Sequence, residues 1–367
     1  MTLRIALHAP RPHFLQPGFS GDHFILPGIR SGLTDKGHEL EVVSHLDARD
    51  AGRGDVPARR IAREAVRVRN RMGRFRPDAW LVYGPSVTYP DLFGWWQRPR
   101  RYVLFGADEG RPGRLPRRLR PFFSAAHRRS LLAADAVGVL RPRSARRLEK
   151  MGVAPDRIRV LPPMVPMPAA NMAREEARRS LELPLDVPVV VCVSRFSPRR
   201  KDGRPGKTQG VLELVRSMAE VPPETVCVIV GDGEGRAQVE AERARLGLVE
   251  RVRLAGAVPN GDVHRYYAAS DVFAYPYDLD RPWLSALEAQ ASGRPVVTMR
   301  TGSAETTVDD GRTGLLAADV HEFRTRLAGL LRNRERCEAM GQAAREYVMS
   351  HHSLEVRVRQ LESMLEA

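Results

Sequence analysis

The chain has 367 residues, 43% of them hydrophobic, and carries 59 basic against 44 acidic side chains, a formal net charge of +15. This length is expected to form two domains, and no run of 18 apolar residues exists, which excludes a membrane-spanning helix. The three cysteines are far apart and form no CxxC pair, and the N-terminus resembles a first strand rather than a signal peptide. We therefore expect a cytoplasmic protein with buried thiols.

The first half alternates apolar runs with helical patterns. Six runs are predicted strands: LRIALHAP, ELEVVSH, AWLVYG, RYVLFGA, AVGVL and RIRVLP. Their apolar character is continuous rather than alternating, which is typical of a parallel sheet covered on both faces.

Residues 98–147 form a strongly basic region, with fourteen arginines against three acids. Such a patch suits nucleic acid, anionic lipid or phosphorylated ligands, although a solvated basic face is equally compatible with it. The stretch RLPRRLRPFF, residues 114–123, interleaves arginine with aromatic residues, and we expect it to contact an anionic membrane surface.

A proline-rich break, with six prolines between 162 and 188, precedes the second half. We place a linker near 162–170. Strands then resume as VPVVVCVSRF, TVCVIVGDG, RVRLAGAV, DVFAYPY and RPVVTM, with helical patterns between them. The alternation predicts two doubly wound α/β domains, whose ligands bind at the carboxyl ends of the strands.

The segment VCVSRFSPRRKDGRPGKTQGVLELV carries two candidate anion-binding cations. A strand ends at Arg195, a basic loop follows, and a helix is predicted to begin near Thr208. Free N–H groups and the positive end of the helix dipole, flanked by Arg195 and Lys207, suit a diphosphate. Loop cations are also commonly just solvated.

The next strand leads into GDGEG, in which Gly231 begins a tight turn. The glycine spacing is not the dinucleotide fingerprint GxGxxG, so an NAD-dependent oxidoreductase is not indicated. Gly231 is expected to permit a close backbone approach to a ligand.

The stretch DRPWLSALEAQASGRPVV places two acids eight positions apart, Asp280 and Glu288. Asp280 precedes Pro282 as a helix N-cap would. Glu288 lies on a helix against the sheet, where a carboxylate needs a partner, and a ligand hydroxyl would serve. No metal-ligand spacing, GxSxG elbow or cysteine–histidine pair is visible, so neither a metal cofactor nor hydrolase chemistry is expected.

These motifs, together with LAGAVPN, YYAASDVFAYPY and GSAETTVDDGRTGLL, make residues 190–350 resemble glycosyltransferase family 4. The first half is similar more loosely, through SGDH and KGHELEVVSH. The resemblance implies a retaining enzyme of GT-B architecture, with two Rossmann-like domains facing a cleft. It divides the chain into an acceptor-binding domain (1–165), a nucleotide-sugar-binding domain (166–350) and a C-terminal helix (351–367) that packs back on the first domain.

The resemblance also implies roles for individual residues. Glu288 would bind the ribose hydroxyls of the donor, and Asp280, one methylene shorter than the usual glutamate, would contact the sugar. Arg195 and Lys207 would bind the diphosphate, with Lys201 as an alternative to Lys207. The other implied donor contacts are Gly231, Leu284 and the backbone around Val258, which would face the nucleobase.

In the first domain the resemblance places the loop of Gly21 near the phosphates and acceptor. Many members have a histidine there at a strand end. The strand ends LVYGPS and LFGADEG have none, and Asp108 or Glu109 is expected to stand in its place.

The resulting hypothesis is a hexosyltransferase that uses a nucleotide sugar, needs no metal, and acts on a cell-envelope glycan or lipid-linked acceptor. In the reaction the leaving phosphate would take the acceptor proton. The alternatives are a glycosyltransferase of small natural products, a non-enzymatic protein that binds nucleic acid or anionic surfaces, and a family member that has lost activity.

Overall fold

The computed structural model describes residues 2–15, 22–97, 99–108, 110, 113, 115–165, 172–199, 206–277 and 284–367. The chain divides into two compact units, each with its own sheet. Unit 1 consists of Met1–Pro163 together with Leu354–Ala367, and unit 2 is Met164–Ser353.

Unit 1 contains a parallel sheet of six strands, in the order β2-β1-β3-β4-β5-β6. The strands are β1 (Arg4–His8), β2 (Glu39–Val42), β3 (Ala79–Tyr83), β4 (Arg101–Phe105), β5 (Ala136–Val139) and β6 (Ile158–Val160). All six predicted strands are confirmed. Strands β3 and β5 are buried throughout, as continuous apolar runs require when helices cover both faces of a sheet.

The helices of unit 1 connect these strands and cover the sheet. They are α1 (Asp22–Asp35), α2 (Ala48–Arg53), α3 (Ala58–Phe75), α4 (Gly94–Gln97), α5 (Arg120–Ala133), α6 (Pro142–Lys150) and the C-terminal α14 (Leu354–Glu366), with short 3-10 helices at Pro12–Leu15 and Pro155–Arg157.

Helix α14 packs on α1 within unit 1. Gly32 lies so close to α14 that an added Cβ would come within 2.6 Å of the Val358 side chain. Polar contacts reinforce this packing, since Glu362 accepts from Lys36 at 2.5 Å and lies 3.1 Å from Nε2 of His38. The helix that ends the chain is therefore part of the unit that begins it.

A buried polar network lies at the centre of unit 1. The Asp91 carboxylate lies 2.8 Å from Nδ1 of His8 and accepts hydrogen bonds from the Trp80 indole at 3.1 Å and the Tyr102 hydroxyl at 2.7 Å. Burial alone would raise the Asp91 pKa, but the charge of His8 and these hydrogen bonds outweigh it and lower the pKa.

Unit 2 contains a second parallel sheet of six strands, in the order β12-β11-β10-β7-β8-β9. The strands are β7 (Val189–Val193), β8 (Val226–Val230), β9 (Val252–Gly256), β10 (Val272–Tyr275), β11 (Val296–Met299) and β12 (Gly314–Ala317). The five predicted strands are confirmed. The sixth, β12, was not predicted from the sequence, and it pairs with β11 along its whole length.

The helices of unit 2 alternate with its strands. They are α7 (Arg174–Ser180), α8 (Thr208–Ser217), α9 (Arg236–Arg245), α10 (Asn260–Ala269), α11 (Leu284–Ala291), α12 (Val320–Leu331) and α13 (Arg334–His351). This alternation and the strand order confirm the doubly wound α/β fold class. The chain reverses its direction of progress between the adjacent strands β7 and β10, which is the topological switch point of the sheet.

Candidate functional site

The candidate site of unit 2 lies at the carboxyl ends of β7 and β10, where a doubly wound sheet binds its ligands. A hydrogen bond joins the two strand ends, because the Ser194 hydroxyl lies 3.0 Å from the hydroxyl of Tyr275. The Ser194 hydroxyl donates in this bond, and because burial raises the Tyr275 pKa well above its usual value, the phenol stays neutral and keeps its own proton.

The start of α8 is fixed by backbone and hydroxyl contacts. The Tyr275 hydroxyl donates to the carbonyl of Lys207 at 2.9 Å, and the Lys207 N–H donates to the Ser197 hydroxyl at 3.3 Å. Helix α8 begins at Thr208, as predicted. The Thr208 hydroxyl is buried and has no hydrogen-bond partner among the described residues. The end of β7 thus holds Lys207 beside the N–H groups of a helix terminus.

Arg195 lies two residues beyond the end of β7 and has an exposed side chain. Within the part of the chain that the structure describes, its guanidinium has no hydrogen-bond or ion-pair partner, although its carbonyl accepts from the Ser197 N–H at 3.2 Å and the Ser194 hydroxyl at 3.3 Å. Its neighbours are buried, since Ser194 is 7% exposed and Phe196 is 1% exposed. Arg195 is therefore a cation presented to solvent by a rigid backbone.

The turn after β8 packs against this segment. Gly231 has a φ of 135°, and an added Cβ would overlap the Ser194 carbonyl oxygen. Both observations require glycine, the first by backbone conformation and the second by close approach. Within unit 2, Gly231 thus makes its close approach to the backbone of Ser194. Val258 lies two residues beyond β9 and is half-buried against the core.

Glu288 lies on α11 and accepts a hydrogen bond from the Tyr267 hydroxyl of α10 at 2.9 Å. Burial raises the pKa of Glu288, and the bond from Tyr267 acts in the opposite direction. The Glu288 side chain keeps part of its surface accessible, whereas Tyr267 is only 2% exposed. A carboxyl group held in this way can accept hydroxyl groups of a ligand.

Of the three remaining predicted residues of unit 2, the structure describes only Leu284. Asp280 and Lys201 lie outside the described residues. Leu284 is the first residue of α11 and packs against a small apolar cluster that includes Val165 and Val348.

In unit 1, Gly21 and Glu109 lie outside the described residues. Asp108 follows β4 and forms an ion pair with Arg141 at 3.2 Å. His8 was not predicted as a site residue; it does end a strand but is fully buried against Asp91. A single histidine at the end of an apolar run was its only signal.

Sequence reasoning also overlooked the tyrosines that position the site. Tyr275 belongs to an apolar strand and Tyr267 to a helix, and neither sequence context marks a polar role. Among the described residues, no cluster of three metal-ligating side chains occurs, and no helix is long and apolar enough to cross a membrane.

Two family models match the chain in succession. Residues 29–167 match the model for glycosyltransferase family 4, and residues 173–347 match the model for glycosyl transferases group 1. Together they cover most of both units, and the resemblance predicted from the sequence is confirmed.

Curated relatives match about half of the chain. A GDP-mannose-dependent alpha-(1-6)-phosphatidylinositol monomannoside mannosyltransferase of Mycolicibacterium smegmatis is 33% identical over 49% of this chain and 48% of the relative. A D-inositol 3-phosphate glycosyltransferase of Acidothermus cellulolyticus is 36% identical over 47% of this chain and 39% of the relative. The chain thus spans about half, or less, of the length of the curated relatives that it matches.

Solved structures agree with the fold over nearly the whole chain. HepE of Anabaena, determined in complex with UDP, has a TM-score of 0.70 at 16% identity and covers 99% of both chains. At this identity the likeness concerns the fold alone.

Proposed function

Because the chain belongs to the glycosyltransferases of family 4 type, with the GT-B fold, we propose that it transfers a hexose from a nucleoside diphosphate sugar to a cell-envelope acceptor with retention of configuration. The observation that carries the proposal is the Glu288–Tyr267 pair. It holds a carboxyl group that is desolvated yet accessible, on the helix that follows the switch-point strand β10. Such a group suits the paired hydroxyls of a pentose.

Two cationic residues that follow β7 of the same sheet, Arg195 and Lys207, suit the diphosphate. Arg195 is exposed, and the backbone of Lys207 is held at the start of α8 by Tyr275. Cleavage of the sugar–phosphate bond develops negative charge on the leaving diphosphate. Cations and helix N–H groups that are fixed beforehand stabilise that charge without reorganisation. The buried Thr208 hydroxyl would add a donor at the same terminus.

The proposed chemistry requires no protein nucleophile. The leaving phosphate would take the proton of the acceptor hydroxyl as the new glycosidic bond forms on the same face of the sugar. Asp280 would then contact the sugar ring. In unit 1 we propose that Gly21, Asp108 and Glu109 serve the acceptor.

The names of the curated relatives support a phosphorylated or lipid-linked acceptor. One is named for a phosphatidylinositol mannoside and the other for inositol 3-phosphate. Both guanosine and uridine diphosphate donors are candidates, because one relative is named for GDP-mannose and a structural neighbour was determined with UDP. We propose a sugar phosphate or phospholipid headgroup as the acceptor class.

We further propose that unit 1 contacts an anionic membrane surface through the start of α5. Arg117, Arg118 and Phe122 are exposed there, and Phe122 is 56% accessible. Each cation near an anionic leaflet gains about 1 kcal/mol. In liposome flotation, the chain should float with anionic vesicles and not with neutral ones, and equal flotation would contradict membrane contact of this kind.

The function is tested first by binding. Thermal shift against a panel of nucleoside diphosphates and their hexose conjugates should identify a stabilising donor. The Glu288→Gln and Lys207→Met variants should lose this stabilisation, whereas Glu250→Gln, an exposed glutamate of unit 2, should keep it.

Sugar transfer is then measured with the donor so identified. Glu288→Gln and Lys207→Met should be inactive while circular dichroism shows an intact fold. Full turnover in either variant, or a panel in which no nucleotide stabilises the wild type, would contradict the proposal.

A further inference from the structure

A second candidate binding site lies in unit 2, at the amino ends of the parallel strands. The site described above lies at their carboxyl ends. A cavity of about 90 Å³ opens beside the amino ends of β7, β10 and β11, where Pro188, Asp271 and Arg294 precede those strands. A cavity needs a volume of roughly 10–15 Å³ to hold a single water molecule. The cavity therefore has room for a small molecule but not for a nucleotide sugar.

The charges that line the cavity do not cancel. Four arginines belong to it: Arg174, Arg178, Arg294 and Arg334. Three acids belong to it: Asp186, Asp271 and Glu338. Cys337 also lines it, but burial raises the pKa of this thiol to about 12, so it is neutral. One positive charge is left uncompensated at neutral pH.

The central acid of the cavity is already fully engaged. Asp271 accepts hydrogen bonds from Arg178 at 2.6 Å, from Arg174 at 2.7 Å and from the Val189 N–H at 2.7 Å. Glu338 accepts from Arg334 at 2.9 Å on the outer side. The third acid, Asp186, is exposed and acts on Arg334, so none of the three carboxylates forms an ion pair with the remaining arginine among the described residues.

Arg294 is that remaining arginine. Its guanidinium donates to the Ala268 carbonyl at 3.1 Å, while its Nε is buried without an acceptor among the described residues. Burial lowers the Arg294 pKa, and the attraction of Asp271 offsets this only in part. A buried cation with unmet hydrogen bonds is unfavourable unless an anion compensates it.

We propose that this cavity binds a small organic monocarboxylate. A carboxylate supplies the single negative charge that the lining lacks and matches the planar guanidinium of Arg294. A phosphate monoester, with a charge of about −1.5 to −2 at pH 7, would overcompensate. The aliphatic side chains of Leu185, Leu330 and Leu331 complete the lining and suit a short hydrocarbon tail.

Isothermal titration calorimetry of the full chain with butanoate tests the proposal. We expect saturable millimolar binding that the neutral isostere butanamide does not reproduce. Arg294→Met removes the guanidinium but keeps most of the hydrocarbon stem, and it should weaken butanoate binding about tenfold or more. Arg179→Met, an exposed arginine on the same helix as Arg178, should leave the affinity unchanged.

Three further arms make the result decisive. If Arg294→Met does not fold, Arg334→Met replaces it, and because that side chain is 72% exposed a loss of about threefold is expected. Lys207→Met should bind butanoate normally, and loss of binding there would place the ligand at the proposed donor site. Undiminished affinity in the cavity variant, or phosphate binding tighter than butanoate, would overturn the proposal.

Discussion

Replacing Tyr267 by phenylalanine should weaken nucleotide binding without disturbing the fold. The change deletes one oxygen atom, the donor of the 2.9 Å hydrogen bond to Glu288. The ring stays, so the packing of Tyr267 against Phe273 is retained. What is lost is the one side-chain hydrogen bond that the described residues give to this carboxyl group.

The size of the effect follows from the charge of the acceptor. A hydrogen bond to a charged group contributes about 1.5–3 kcal/mol, and 1.4 kcal/mol is a factor of ten in affinity. We therefore expect the dissociation constant of the nucleotide to rise about tenfold at neutral pH. The pH dependence also shifts, because burial raises the Glu288 pKa and the bond from Tyr267 opposes that rise. Without the bond, binding should begin to fail at a higher pH as the solution is acidified.

The assay is a fluorescence or calorimetric titration of the stabilising nucleoside diphosphate from pH 5 to pH 8. Tyr266→Phe is the matched control, since Tyr266 is the neighbouring residue of α10 and has no hydrogen bond to Glu288. Wild-type affinity together with a wild-type pH profile in Tyr267→Phe would refute the positioning role of this tyrosine.

Three other predictions concern stability. Gly231→Ala should destabilise the chain by about 3 kcal/mol, because the new Cβ adds backbone strain and overlaps the Ser194 carbonyl. The control Gly247→Ala lies at a positive φ but in open space, so it should cost only about 1 kcal/mol. Equal losses of stability in thermal unfolding would contradict the overlap at Gly231. Glu288→Gln should raise stability by about 1 kcal/mol at pH 7. The pKa of Glu288 is higher in the folded than in the unfolded state, so wild-type stability falls as the pH rises through these two values. The stability gained by Glu288→Gln should therefore vanish below about pH 4, where the carboxyl group is protonated in both states. A stability gain that persists in acid would contradict this linkage. Asp91→Asn should destabilise unit 1 by about 3–5 kcal/mol in urea unfolding followed by tryptophan fluorescence, since it removes one partner of a buried pair with His8, and a loss below 1 kcal/mol would argue against that pair.

The sequence was sufficient to predict the elements that are buried on both faces. Runs such as VVVCV and VCVIV are unambiguous because a parallel strand between two helical layers has no polar face. Strand β12 was overlooked because GLLA is only four residues long and is defined by its pairing with β11 rather than by its own pattern.

The polar contacts of the site could not be predicted in the same way. The partners Tyr267 and Glu288 are 21 positions apart, Ser194 and Tyr275 are 81 apart, and His8 and Asp91 are 83 apart. Local periodicity carries no information over such distances. Only the fold brings these groups together, so spacing indicated Glu288 but not the tyrosine that holds it.

The position of α14 bears on the order in which the chain matures during translation. Most of unit 1 leaves the ribosome first, yet the helix that covers Gly32 is made only after all of unit 2. N-terminal domains usually fold first as synthesis proceeds. In this chain the face of α1 around Gly32 therefore stays uncovered in the nascent first domain until residues 354–366 have been synthesised and can pack on it.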